Sequence, residues 1–490
     1  MTSAAHLPTQ LPEQLSAMSA AQSAVQAAVA FSAKTTSATL LAAIRRTLKV
    51  VGRTIIGVFA TAVLAALIFL LVARHALKPA PGDWATTLRA GPVAVQVGVP
   101  SLIWLGTTPW VAALMDGRSL PTRVGTVHIR WQAGTSTLTL SCKPCQMPAQ
   151  GLGSESLHLD AASVTVRRQG AQLDGSVHIG NLTATWHGAI YPQSLKLQVD
   201  LPPTPIRDGY ALFASSIPEL QQATIGGTFG FKATVSLPSG SYTFTPRVEG
   251  FAVHGLGTEA LVGARSMCSV GLSTGTGTGK GKGKGNKGKA SGNGISNTGV
   301  GPDSLLARAV IAAEDQRFFE HTGFDLEELS TSFERNQREG RIERGASTLS
   351  QQLARLLITG GERTPARKLR ELLYAVEMEQ TLGKARILRM YLAHAPWGNG
   401  ICGAQAASRH YFGLRAQDLD AGQAVWLAAM LHQPAVEAQR WASSGHINLP
   451  RAQWVATSLR PMPRRQREAL AERLGTVTWS APGAVVRQAN

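Results

Sequence analysis

The sequence predicts a multidomain chain: one N-terminal transmembrane helix, then an antiparallel all-β domain, then a mainly α domain. Three observations predict it. Residues 54–73 form a run of 20 uncharged, mostly apolar residues, the length a helix needs to cross a bilayer. Residues 85–265 alternate apolar and polar side chains in short runs broken by Gly, Pro and Asp-Gly. From Pro302 onward, apolar residues recur at helical spacing.

The elements follow in order. Residues 1–50 are rich in Ala, Ser, Thr and Gln and read as a disordered segment on the cytoplasmic side. The membrane helix is placed at 51–76. Arg45, Arg46, Lys49 and Arg53 precede it, while Arg74 and Lys78 follow, so the N-terminus is expected inside and the rest outside. In a bacterium with two membranes that means a single-pass inner-membrane protein with a periplasmic bulk. Strands are expected near residues 127–131, 156–160, 163–167, 176–179, 195–199 and 229–235. No catalytic constellation stands out among them, so this extracytoplasmic β domain reads as a spacer or a docking surface. It faintly resembles the repeated strands of AsmA-like periplasmic proteins, on pattern alone. Residues 266–300 are a Gly/Lys-rich linker whose lysines repel one another and keep it extended. Residues 301–437 form the helical domain and 438–490 a helical extension with a polar tail.

Charge and cysteines exclude some functions. The net charge of +18 suggests a nucleic-acid partner at first sight. Yet residues 301–490 hold 24 Lys and Arg against 19 Asp and Glu, and the remaining excess lies before them, partly in the linker. An anionic bilayer and an anionic substrate account for this distribution, and no nucleic acid is expected. Cys142 and Cys145 form a C-x-x-C with no second pair to complete a zinc site, so a local disulfide is the reading. Cys268 and Cys402 receive no role.

Chemistry concentrates after Pro302. Glu314-Asp315 closes the apolar helical run of Leu305, Leu306, Ala309, Val310 and Ala313. A carboxylate among apolar side chains has its charged form disfavoured, which raises its pKa toward that of a useful proton acceptor. Phe318, Phe319, His321 and Gly323 follow, the two aromatics read as core and His321 as a tie for the loop. Arg344-Gly345-Ala346-Ser347-Thr348-Leu349-Ser350-Gln351-Gln352 comes next. Ser347 or Thr348 caps a helix whose first turn would offer free N–H groups to an anion. Gln351 and Arg355 share a helix face, as do Arg367 and Glu371. Taken alone, the latter pair reads as a surface salt bridge worth about 0.3–0.5 kcal/mol.

These blocks, in order, resemble a family 51 peptidoglycan glycosyltransferase, the polymerase module of class A penicillin-binding proteins and of their monofunctional relatives. The family pattern ED-x-x-F-x-x-H-x-G matches at Glu314 to Gly323, and G-x-S-T-x-x-Q-Q at Gly345 to Gln352. R-K-x-x-E matches at Arg367 to Glu371. K-x-x-I-L-x-x-Y-L matches at Lys384 to Leu392, and A-A-x-x-Y-F-G near Ala406 to Gly413. Three positions depart: Ala393 stands for Asn, Leu414 for Lys and Gln423 for Glu.

The resemblance implies a mainly α, lysozyme-like glycosyltransferase domain that polymerises lipid II into a growing glycan strand, with inversion at the anomeric carbon. It implies Glu314 as base and Glu371 as a second carboxylate near the diphosphate that holds a divalent metal ion, Mg2+ or Mn2+. Asp315, Ser347, Gln351, Gln352, Arg355, Arg363, Arg367 and Lys368 are implied as substrate-binding. No Ser-x-x-Lys occurs in the chain, so no transpeptidase nucleophile is expected. Implied partners are lipid II, the membrane and, through the β domain, other cell-wall synthesis proteins acting in cell-shape maintenance. Two other readings stand beside this one: a lytic glycosidase, and a non-catalytic scaffold that binds lipid II.

Overall fold

The computed structural model describes residues 61, 63–64, 79, 82–90, 93–122, 124–147, 157–263, 300–339, 346–361, 364–398 and 400–480. The expected N-terminal segment, nearly all of the expected membrane helix and the Gly/Lys-rich linker lie outside them. Among the described residues, no helix is long and apolar enough to cross a membrane.

The chain divides into two compact units, residues 1–102 and 103–490. In the first, β1 (Ala85–Ala90) and β2 (Val93–Gly98) form an antiparallel hairpin. Helix α1 (Val99–Gly106) runs on from it. Residues 103–106 of that helix already belong to the second unit, which continues with α2 (Pro109–Met115), entered through the extended Thr108 with Pro109 at the first helical position.

A nine-stranded antiparallel sheet follows. Its strands are β3 (Ser119–Thr122), β4 (Gly125–Gln132), β5 (Thr137–Cys142), β8 (Ala162–Gln169), β9 (Gln172–Ile179), β10 (Leu182–Ile190), β11 (Leu195–Pro205), β12 (Thr224–Leu237) and β13 (Ser241–His254). They lie side by side in chain order, interrupted only by the small hairpin of β6 (Cys145–Met147) and β7 (Leu157–Leu159). Five of the six expected strands fall within these elements; the one expected near 156–160 is the shorter β7, and Ser156 lies outside the described residues. Cys142 and Cys145 are disulfide-bonded at the head of that hairpin, as the spacing suggested.

Register sorts the sheet into two chemically opposite faces, because residues directly paired across strands share a face. Ile129 pairs with Leu140, Leu140 with Val164, Val164 with Val177 and Val177 with Ala184. Trp186 pairs with Val199, Val199 with Ala233 and Ala233 with Phe244. The intervening residues are polar: Thr139 opposes Thr165, His178 opposes Thr183 and Lys232 opposes Thr245.

The helical domain comprises α4 (Leu305–Glu314), α5 (Leu326–Glu339), α6 (Leu349–Ala354), α7 (Pro365–Thr381), α8 (Lys384–His394), α9 (Ala404–Phe412), α10 (Ala421–Met430), α11 (Pro434–Ser444), α12 (Leu449–Ser458) and α13 (Arg464–Thr476). Caps explain the boundaries. Ser304, Thr348, Thr364 and Asn448 each accept a first-turn N–H at the starts of α4, α6, α7 and α12. Gly413 and Gly445, both in left-handed conformation, end α9 and α11. At α10, Asp420 and Gln423 close a reciprocal capping box. The Gln423 departure is therefore structurally sound, since an amide oxygen accepts from the cap N–H as a carboxylate does.

One apolar core runs through these helices from Val300 to Leu474, with Trp397, Trp426 and Trp441 fully buried. It shows no break at residue 437, where the sequence reading placed one. The extension helices α12 and α13 belong to the same core.

A second apolar cluster joins the sheet to the helices. Ile206 and Tyr210 of α3 (Ile206–Ala211), Ile217 and Val253 pack with Ala366, Leu373 and Val376 of α7. Polar contacts reinforce it. Glu219, 5% exposed, receives Arg370 at 2.6 Å and the Tyr374 hydroxyl at 3.3 Å. Leu256 N–H donates to Glu377 at 2.8 Å, and Tyr210 donates to the Leu369 carbonyl at 3.2 Å. The sheet thus stands directly on α7.

Candidate active site

Helix α4 buries Leu306, Ala309, Val310 and Ala313, which carries Glu314 at its last position into the domain core. The Glu314 side chain is 11% exposed. Gln352 of α6 donates from Nε2 to Glu314 Oε2 at 3.0 Å, and Arg451 of α12 donates from Nη2 to Oε1 at 2.8 Å. The Gln352 amide oxygen accepts from the Tyr391 hydroxyl at 2.9 Å. That bond orients the amide so that its N–H faces the carboxylate. Burial raises the pKa of Glu314 above its ordinary value, against the lowering pull of Arg451, the Gln352 hydrogen bond and the charge of Arg355. Burial also raises Tyr391, so its hydroxyl stays protonated and donating.

A second cluster sits on the first turns of α7. Glu371, 1% exposed, pairs with Arg367 and with Lys368, the latter at 2.9 Å. Lys368 Nζ also donates to Ser347 Oγ at 2.6 Å. Arg367 Nε is buried with no hydrogen-bond partner. The segment 347–352 therefore touches both clusters, Lys368 through Ser347 and Glu314 through Gln352.

The loop after Glu314 is a frame. Asp315, 4% exposed at its side chain, accepts from His321 Nε2 at 3.0 Å and from Leu349 N–H at 2.9 Å. Lys384 donates to His321 Nδ1 at 3.3 Å, which fixes Nε2 as the protonated nitrogen facing Asp315. Thr348 Oγ1 donates to the Gly323 carbonyl at 2.7 Å. Gly323 has φ +94°, and a Cβ there would lie 2.9 Å from the backbone of Ala375 and Val376. Only a glycine lets this loop rest against α7.

Several expectations change here. Asp315 was expected at the substrate; its carboxylate is spent on His321 and Leu349. The first turn of α6 was expected to offer free N–H groups. Asp315 takes that of Leu349, and Thr348 Oγ1 takes that of Gln351 at 3.2 Å. The dipole of that helix already has its anion. Phe318 is fully buried as expected, but Phe319 is 61% exposed. Gln351 is half-buried and Arg355 exposed, acting on Glu314 only through its charge. Arg363 lies outside the described residues. His321 is the tie it was read to be.

No group of three His, Cys, Asp or Glu side chains that could hold a metal occurs among the described residues. Both oxygens of Glu371 face cations. Among the described residues, the side chains around Glu371 do not fit a resident metal site.

Sequence reasoning missed Arg451 and Tyr391. Arg451 stands 137 residues from Glu314, in a segment read as an extension, and no local pattern marked it. Tyr391 was quoted within a motif, and its hydroxyl was the available signal.

Residues 298–459 match the model of the Transglycosylase family. This segment is a transglycosylase domain. It contains both carboxylates and Arg451. A biosynthetic peptidoglycan transglycosylase of Nitrosospira multiformis is 46% identical over 129 residues, covering 26% of this chain and 56% of that protein. Its counterpart in Chromobacterium violaceum is 49% identical over 129 residues, with 57% of that protein covered. The one in Ralstonia nicotianae is 42% identical over 147 residues, with 63% covered. The chain thus spans little more than half the length of the curated relatives it matches. The sheet lies outside the transglycosylase domain, yet it packs on helix α7 of that domain.

Proposed function

We propose that this protein is a peptidoglycan glycosyltransferase that polymerises lipid II into glycan strands, with inversion at the anomeric carbon. The observation that carries the reading is Glu314, a buried carboxylate of raised pKa at the centre of the transglycosylase domain. The acceptor's GlcNAc 4-hydroxyl attacks the anomeric carbon of the donor MurNAc. Glu314 takes the hydroxyl proton as the new C–O bond forms and the bond to the diphosphate breaks. Gln352, held by Tyr391, orients the carboxylate, and Arg451 opposes the rise in its pKa that burial causes.

Arg367 and Lys368 receive the negative charge that develops on the departing diphosphate, as fork and point charge. Glu371 holds the two cations in place until the substrate arrives. Ser347 steadies Lys368. A divalent ion would arrive with the diphosphate as part of the substrate complex. Gln351 and Arg355 border the donor site in this reading. The chain is anchored in the bacterial inner membrane by the segment 51–76, with its catalytic domain in the periplasm.

Purified lipid II tests this directly. The intact protein should yield long glycan strands, and Glu314→Gln should lose about 100-fold or more of that rate while keeping its fold. Near-normal synthesis by the variant would overturn Glu314 as base. Lipid II bound but not polymerised by the intact protein would replace the enzyme with a scaffold, and release of fragments from finished sacculi would replace it with a lytic glycosidase.

A further inference from the structure

Among the described residues, no layer covers the middle of the apolar face of the nine-stranded sheet. Val177, Ala184, Leu197, Val199 and Val235 lie on it between β9 and β12, and each is only half-buried. A sheet with one apolar face is stable when a second layer packs on it. Among the described residues, helices cover the two margins, and the β6–β7 hairpin with Leu212 packs on Cys142, Ala162 and Ile179 at one end of β5, β8 and β9. Ala112 and Met115 of α2 pack on Ile129 and Leu138 at one side, and α3 with α7 covers the other. Strands lie about 4.8 Å apart, so the bare middle from β9 to β12 is on the order of 15 Å wide. Apolar surface of that extent marks a binding site.

Both margins speak to the occupant. At the α2 side, Trp104, Trp110 and Leu114 are 54%, 58% and 62% exposed, and the Arg168 guanidinium lies 5.2 Å from the Trp104 ring centre. Indoles, an aliphatic side chain and a cation side by side suit the lipid–water interface. At the other side the apolar face runs into α7, whose sheet-facing side carries Arg370 and whose other side carries Arg367 and Lys368. The ligand that matches both ends has a long hydrocarbon chain and an anionic head.

We propose that this face holds the polyprenyl chain of the polyprenyl diphosphate-linked donor. The proposal rests on the reading above for the identity of the donor, and not on its turnover.

The test places p-benzoylphenylalanine at Val199 or Val235, with Gln198 and Thr185 of the polar face as controls. The full chain is reconstituted in vesicles of phosphatidylethanolamine and phosphatidylglycerol containing long-chain polyprenyl diphosphate, irradiated and analysed by mass spectrometry. Adducts of polyprenyl diphosphate at 199 and 235, absent at 198 and 185, are expected. Adducts with phospholipid, adducts with a second copy of the chain, equal labelling of both faces or no adduct would each overturn the proposal.

A second arm uses Val199→Glu, which sets a charge on the apolar face. Its use of long-chain lipid II should fall at least about tenfold while a short-chain analogue is used as before. Equal loss with both substrates would overturn the tail site. A wild-type chain that polymerises neither would sink the enzyme reading alone, and the adducts would still decide this one.

Discussion

At the scale of single residues, Glu314 and Arg451 act against each other. Burial raises the Glu314 pKa and Arg451 lowers it. Removing the cation leaves burial less opposed, so the carboxyl holds its proton to higher pH. Arg451→Ala should therefore move the acid limb of the pH–rate profile upward, and a limb that stays put or moves down would contradict the pairing. Stability follows the same sign. A folded pKa above the unfolded value of 4.5 gives a contribution present in full below 4.5 and lost as pH rises through the folded pKa. At neutral pH, Glu314→Gln should thus keep or raise the melting temperature while activity falls. Glu314 was legible because its apolar neighbours are local in sequence. Arg451 was not, because a contact between α4 and α12 is made only by the fold.

Among the elements, α7 is the busiest. Arg367, Lys368 and Glu371 occupy one side of it, while Arg370, Tyr374 and Glu377 turn toward the sheet domain. Glu219→Ala would leave Arg370 and Tyr374 without their acceptor. Because Arg370 is 27% exposed, the cost is about 1–2 kcal/mol, less than for a fully buried pair, and thermal unfolding would read it. Gly323→Ala should cost about 1–3 kcal/mol, because its φ is positive and the α7 backbone blocks a Cβ. An unchanged melting temperature would contradict the close approach. Helical periodicity predicts helices over 305–319, 367–382, 384–392, 403–411 and 419–431, where α4, α7, α8, α9 and α10 stand, although α4 ends already at Glu314. It missed α5, whose residues 326–339 are mostly polar, and α11 and α12, whose prolines stand inside the first turn rather than at a break. The helix that Ser347 or Thr348 was read to cap gives way at Arg355, where the chain widens into a π-turn that no propensity signals.

For the whole molecule, the sheet was legible because alternation with period two survives in every long strand. Its docking on α7 was not, since Leu373 and Val376 read equally well as core of the helical domain alone. They face Ile206, Ile217 and Val253 instead. Residues 298–480 expressed without the sheet should expose this patch and aggregate or melt several degrees lower. A soluble fragment with an unchanged melting temperature would show the docking to be dispensable. Helix α7 has 17 residues and is about 26 Å long. A rod of that length cannot be tilted on one side alone. Load placed on the sheet is therefore passed along the helix, and the ion-paired cluster of Arg367, Lys368 and Glu371 would feel it.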